Sequence, residues 1–229
     1  MSVCVHQIWL GPMPDGICGM VSNVRETCAR QGVRYLMHGS EVLETHGTVD
    51  SRRALDRLRD FVPPNIWRVV VSDWGRWRVM AAGGEGTLYM DTDCVFTGRG
   101  VPSAALGALP DGLLCMPEGW APDLTSSGCV FVKGSAGAQA AALAGAMAGG
   151  RLEGLLDLPE DEMRAMWDGF LRGSRLVDFL GPGWLRRMVA PQAAERGWRV
   201  GLMPQAVASC RRRDALIYHE GVGSWLRRD

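Results

Sequence analysis

The chain has no net charge to spend on a polyanion: 25 basic residues balance 25 acidic ones over 229 residues. That balance argues against a nucleic-acid binder whose affinity rests on neutralising phosphates. Lysine is nearly absent, with Lys133 the one example, and the arginine bias carries no functional weight. No CxxC pair occurs among Cys4, Cys18, Cys28, Cys94, Cys115, Cys129 and Cys210. With no basic, apolar leader at the start, these read as free thiols, mostly buried, in a reducing compartment. Long apolar runs are missing too. The stretch from Ala136 to Met147 is too short for a membrane helix, which needs roughly 20 residues. The expectation is a cytoplasmic protein with no membrane span, with peripheral contact at an inner membrane face left open. What is present is ordinary for one globular core: 47% hydrophobic and 22% charged residues, enough for a single domain.

Apolar segments alternate with helical patterns. Val3 to Leu10 reads as a strand ending at Gly11-Pro12, and Asn23 to Arg30 as a helix stopping at Gly32. Val33 to Met37 is a short strand candidate. Asp50 or Ser51 can cap a helix carrying Ala54, Leu55, Leu58 and Phe61, ended by Pro63-Pro64. The β-branched run Ile66 to Val71 reads as a buried strand, with Ser72-Asp73 capping a helix that ends at Gly83-Gly84. Thr87 to Met90 is the next strand and runs into Asp91-Thr92-Asp93. Gly112 to Met116 and Cys129 to Val132 read as strands, Ser135 to Met147 as a helix closed by Gly149-Gly150, and Glu160 to Leu171 as a helix packing Met163, Met166, Trp167 and Phe170. Arg199 to Met203 and Ala215 to Tyr218 are short late strands. Alternation of this kind predicts an α/β fold with a largely parallel sheet, whose ligands bind at the carboxyl ends of the strands.

Four clusters can meet at that edge. His6 to Pro12 brings Trp9 to a Gly-Pro turn, where the indole either fills the core or stacks on a planar base. Asp73 and Arg76, three apart on a helix, share a side; they form a surface ion pair or address sugar hydroxyls and phosphate. Asp91 and Asp93 offer hard oxygen ligands, and Mg²⁺-type sites combine few carboxylates with substrate phosphates. His219-Glu220-Gly221-Val222-Gly223-Ser224-Trp225 joins two potential ligands to a glycine turn and an indole, suited to closing over a bound ligand. The last part of the chain is also arginine-rich, with nine arginines against four acids from Gly181 onward and a run at Arg211, Arg212 and Arg213. It is a solvated end or a phosphate-facing patch.

In order along the chain, these motifs resemble the DxD sugar-donor glycosyltransferases that include yeast initiating mannosyltransferases and bacterial capsule and surface-glycan enzymes, related in fold to the clostridial glucosylating toxins. The family's "IHQIWLG" resembles Val5 to Gly11, its "SDxxR" resembles Ser72, Asp73 and Arg76, and its "GGxYLDTD" resembles Gly86 and Leu88 to Asp93. Gly181-Pro182-Gly183 resembles a later "GP" segment, and His219 with Gly223-Ser224-Trp225 resembles the terminal motif. Two departures stand out. Gly83 to Gly86 lengthens the connection ahead of the metal motif, and Ser126-Ser127 stands where the family often has asparagine.

The resemblance implies a single GT-A-like, Rossmann-like domain over 1–229, with 1–100 mainly the donor half and 101–229 mainly the acceptor half carrying the closing segment. It implies a UDP- or GDP-linked sugar donor and Mn²⁺ or Mg²⁺. The catalytic set it implies is Asp73, Arg76, Asp91, Asp93 and Trp225. Ile8 and Trp9 would flank the base, Asp73 and Arg76 would hold ribose or sugar, Tyr89 and Thr92 would line the donor pocket, and Ser224 and Trp225 would close on the diphosphate. Asp91, Asp93, His219 and Glu220 are the implied metal ligands. The expected reaction is hexosyl transfer with retention to a glycan, lipid-linked or small-molecule hydroxyl. A nucleotidyltransferase making the sugar nucleotide, or a noncatalytic nucleotide- or glycan-binding module, is the alternative.

Overall fold

The computed structural model describes residues 2–98, 100–117, 125–172 and 178–220. These form one mixed α/β domain. In chain order the sheet-forming segments are β1 (Cys4–Ile8), β2 (Arg34–His38), β3 (Thr87–Met90), β4 (Cys94–Phe96), β5 (Gly112–Pro117), β6 (Thr125–Lys133), β7 (Val200–Leu202), β8 (Ala208–Ser209) and β9 (Ile217–His219). Six of them build the central sheet in the order β2-β1-β3-β6-β5-β7. β1 runs parallel to β2 and β3, β7 runs parallel to β5, and β6 is antiparallel to both of its neighbours. Five strands therefore point one way and β6 alone points back. β4, β9 and β8 form a small second sheet.

The main helices are α1 (Asp15–Arg30), α2 (Val42–His46), α3 (Val49–Leu58), α4 (Pro64–Gly83), α5 (Ser103–Gly107), α6 (Gly134–Glu153) and α7 (Glu160–Arg172). Side chains alternate across the sheet, as its pleat requires. Ile8, Tyr89, Val130 and Val132 face α4 and α6, while Val5, Leu88, Met90 and Phe131 face α1 and the small sheet. Both faces are covered, which is why the strands read as near-continuous apolar runs. None of the described helices is long and apolar enough to cross a membrane.

Residues 66–71 depart from the sequence expectation: they belong to the 20-residue helix α4, not to a strand. Pro64 sits at its first position, where a missing N–H costs nothing. α4 lies between the sheet and α6 and buries Ile66, Val70, Val71, Trp74, Trp77 and Met80, so β-branched residues suit it although its local pattern mimics a strand. Full burial of each such aliphatic side chain contributes about 1.5–3 kcal/mol. Ser72-Asp73 is consequently mid-helix instead of a cap. The cap of α3 is Thr48, whose hydroxyl accepts from the Ser51 amide at 2.9 Å, in place of Asp50 or Ser51. α6 runs through Gly149-Gly150 to Glu153.

Glycines set two close approaches. A Cβ on Gly75 would lie 3.0 Å from Ile8 Cδ1, so α4 rests directly on β1. A Cβ on Gly145 would lie 2.6 Å from that of Ala81, so α6 packs tightly on α4. The first contact brings Asp73 and Arg76 beneath the carboxyl end of β3. Free cysteines are buried at Cys28, Cys94, Cys115 and Cys129, partly buried at Cys4 and Cys210, and exposed at Cys18.

Candidate functional site

β3 ends at Met90 and delivers Asp91 to a turn held from several sides. The Asp91 amide donates to the Gly128 carbonyl at 2.7 Å, and the Asp91 carbonyl accepts from the Cys94 amide at 2.9 Å. Gln7 Nε2 donates to the same carbonyl at 3.0 Å, and Tyr35 in turn donates to Gln7 Oε1 at 2.9 Å. On the far side, the Glu220 amide donates to the Asp93 carbonyl at 2.9 Å. Every anchor is to a backbone group of the turn, and the two carboxylates face other partners.

Asp91 turns toward α4. Its Oδ1 accepts from Arg76 Nη2 at 2.9 Å and from the Tyr89 hydroxyl at 3.0 Å. Arg76 Nη1 lies 3.1 Å from Asp73 Oδ1, and the guanidinium sits 4.8 Å from the Tyr89 ring centre. Asp73 and Arg76 do share a helix side, as their spacing predicts, but the pair is largely withdrawn from solvent, Arg76 buried and Asp73 partly so, with 4% and 15% side-chain exposure. Burial pushes the Asp73 carboxyl up to about 6, against the pull of Arg76 and with the help of Asp91. Burial likewise raises Asp91, opposed by Arg76 and reinforced by Asp93. Burial disfavours the charge on Arg76, yet Asp91, then Tyr89 and Asp73, outweigh it and raise its pKa. The result is one buried cation shared by two carboxylates.

Asp93 turns toward the small sheet. Its Oδ1 is 3.0 Å from His219 Nε2. In the antiparallel pair of β4 and β9, Cys94 stands directly opposite His219, which places their side chains side by side. Ligand atoms of Asp93, Cys94 and His219 all lie within 4.8 Å of one another. The Cys94 thiol donates to the Gly128 carbonyl at 3.3 Å. Burial works against a charged His219, but hydrogen bonds with Asp93 and Cys210 raise it to about 10.

A β-bulge joins the two halves. Cys115 of β5 pairs with Val130, yet Met116 pairs with Ser126, leaving Ser127, Gly128 and Cys129 without a partner on β5. Bulges re-aim a strand beside functional sites. Here the bulge presents Gly128, where a Cβ would lie 3.2 Å from Asp91 Oδ2 and 3.3 Å from His219 Nε2. Glycine lets the two groups approach across the strand.

The structure therefore brings Asp73, Arg76, Tyr89 and Asp91 into one network and joins Asp93 to His219. Asp91, implied as a metal ligand, is engaged by Arg76 and Tyr89 and stands outside the Asp93–Cys94–His219 group. Glu220 is exposed and also outside that group. Ile8 is fully buried, so of the pair implied to flank a base only the half-buried Trp9 reaches the surface; its Nε1 donates to the Pro12 carbonyl at 3.1 Å. Thr92 is fully buried, and its Oγ1 has no hydrogen-bond partner among the described residues. Ser224 and Trp225 lie outside the described residues. Arg211, Arg212 and Arg213 are exposed, and Arg212 forks onto Asp214 at 3.1 and 2.7 Å.

Sequence reasoning missed Cys94, Gly128 and Gln7. Cys94 had one available signal: it directly follows the second aspartate. The donor set of one carboxylate, one imidazole and one thiol departs from the all-oxygen shell that Mg²⁺ prefers and fits a divalent transition ion. No protein-family model matches the chain, and no curated protein matches it.

Proposed function

We propose that the chain is a metal-dependent glycosyltransferase of GT-A type that moves a hexosyl group from a UDP- or GDP-linked donor to an acceptor hydroxyl. The observation that carries this reading is the Asp93–Cys94–His219 cluster set beside the Asp73–Arg76–Asp91 network. Both lie at the carboxyl end of β3, where open α/β sheets bind ligands. The mostly parallel sheet, with β6 alone reversed, supports the Rossmann-like part of that reading.

In the reaction the acceptor oxygen bonds to the anomeric carbon while the bond from that carbon to the diphosphate oxygen breaks. The acceptor proton passes to the leaving phosphate, which accounts for the products without a dedicated base. A divalent ion, when bound, offsets the charge building on that phosphate. Asp93 and His219 would hold that ion. Arg76 fixes Asp91 so that Oδ1 stays occupied and Oδ2 remains turned toward Gly128. Asp73, a carboxylate paired with Arg76, accepts from sugar hydroxyls. Trp9 supplies a partly exposed aromatic face at the end of β1 for the base.

The test is incubation with a divalent ion and a panel of UDP- and GDP-hexoses, following release of nucleoside diphosphate. Slow hydrolysis of one donor, lost in Asp93→Ala, supports the reading. Release of pyrophosphate from a nucleoside triphosphate and a sugar phosphate would instead identify a nucleotidyltransferase. Donor binding with no turnover in the presence of candidate acceptors would identify a binding module.

A further inference from the structure

We infer that Asp93, Cys94 and His219 form a sulfur-containing site for a borderline transition ion of the Zn²⁺ or Co²⁺ class, with Cys94 bound as thiolate. The inference shares Asp93 and His219 with the proposed transferase site but does not depend on its substrate. It starts from the division of labour within Asp91-Thr92-Asp93. Arg76 and Tyr89 occupy Asp91 Oδ1 at 2.9 and 3.0 Å, so the motif presents one carboxylate to an ion instead of two. The position a second carboxylate would fill is taken by the next residue, Cys94, which strand pairing sets opposite His219.

The spacing suits such an ion. Bonds of about 2.0–2.2 Å at a tetrahedral centre separate two N or O ligands by roughly 3.3 Å. Asp93 Oδ1 and His219 Nε2 stand 3.0 Å apart, and the thiol lies within 4.8 Å of both ligand atoms. Small rotations of these side chains enclose the ion. Binding releases two protons to solvent, the one on His219 Nε2 that faces Asp93 and the one Cys94 directs to the Gly128 carbonyl, leaving neutral imidazole and thiolate as ligands and that carbonyl still bonded to the Asp91 amide. His219, with 19% of its side chain exposed, gives the ion a way in from solvent. Thiolate and imidazole select zinc-class ions, and magnesium retains its oxygens and waters.

X-ray absorption at the zinc edge of the loaded, unmutated chain tests this without any substitution. A sulfur scatterer at about 2.3 Å is the expected result, and a shell of nitrogen and oxygen alone overturns the proposal. Cobalt loading supplies the assignment. The thiolate-to-cobalt charge-transfer band should be lost in Cys94→Ser and kept in Cys210→Ser, whose thiol also contacts His219. Cys94→Ser should also weaken zinc binding by at least the ~10–100-fold typical of losing an outer-shell partner. A band that survives Cys94→Ser, or disappears in Cys210→Ser alone, contradicts the assignment. A sulfur shell without sugar transfer would count against the transferase reading alone; transfer with no sulfur shell would count against this inference alone.

Discussion

Arg76 is the residue on which the buried charges depend. It serves Asp91 and Asp73 together at 2.9 and 3.1 Å, with no more than 15% of any of the three side chains exposed. Replacing it with Met leaves two carboxylates close together without a countercharge. Breaking a buried pair from one side typically costs about 3–5 kcal/mol. Arg76→Met should therefore lower unfolding free energy in urea by that amount, and adding Asp91→Asn should recover part of it. A loss under about 1 kcal/mol, as at an exposed pair, would contradict the network. A second prediction belongs to His6. Its Nδ1 and His38 Nε2 are 3.0 Å apart and the rings are nearly coplanar, 5° between planes with centres 5.3 Å apart. That centre spacing is the N···N distance extended by two ring radii, so the rings meet edge to edge through one N–H···N bond and do not stack. Burial, then His38, lowers His6 from 6.5 to about 4. A lowered native pKa means the unfolded chain binds the proton more readily, so this contribution is full above pH 6.5 and fades as pH falls toward 4. Thermal unfolding followed across pH 4–7 should show a shallower acid-side decline in His6→Asn than in the unmutated chain; equal slopes would remove His6 from the account.

At the scale of elements, the site rests on how closely α4 is pressed between β1 and α6. Gly145 has no room for a side chain, since its Cβ would meet Ala81 at 2.6 Å and the Trp77 carbonyl at 3.1 Å. Gly145→Leu should destabilise by about 1–3 kcal/mol through overpacking, a drop of roughly 2–4 °C in Tm per kcal/mol for a chain of this size. An unchanged Tm would mean that the helices can part easily. The same helix marks where the sequence was hard to read. Ile66, Val69, Val70 and Val71 look like strand residues because α4 is buried on much of its surface, and a short apolar run does not distinguish buried helix from buried strand. Pro63-Pro64 and Gly83-Gly84 enclose the whole helix and were the better signals. Short elements such as β4, α2 and α5 left no pattern long enough to register. The small sheet holds only because β4 and β9 pair across more than a hundred residues of chain.

Across the whole molecule, the sheet's mostly parallel character and the placement of Asp91 at a strand end were legible, because buried strands and turn residues leave strong local marks. The grouping of Asp73 with Arg76 was legible from helical spacing. Their bond to Asp91 was not, since it depends on Gly75 letting α4 settle onto β1. Nor was the partner of Asp93, which comes from β9 at the far end of the described chain. Sequence spacing left His219 and Glu220 as equal candidates; strand register chose His219 by placing it opposite Cys94. Asp93 and His219, from opposite halves of the chain, meet at the proposed ion-binding point for a sugar nucleotide. Calorimetric titration of UDP- and GDP-sugars, with and without a divalent ion, tests that claim most directly when run on the unmutated chain and Asp93→Ala. One donor should bind only with the ion present, and Asp93→Ala should abolish this binding. Binding of no donor, or equal binding by Asp93→Ala, would contradict it.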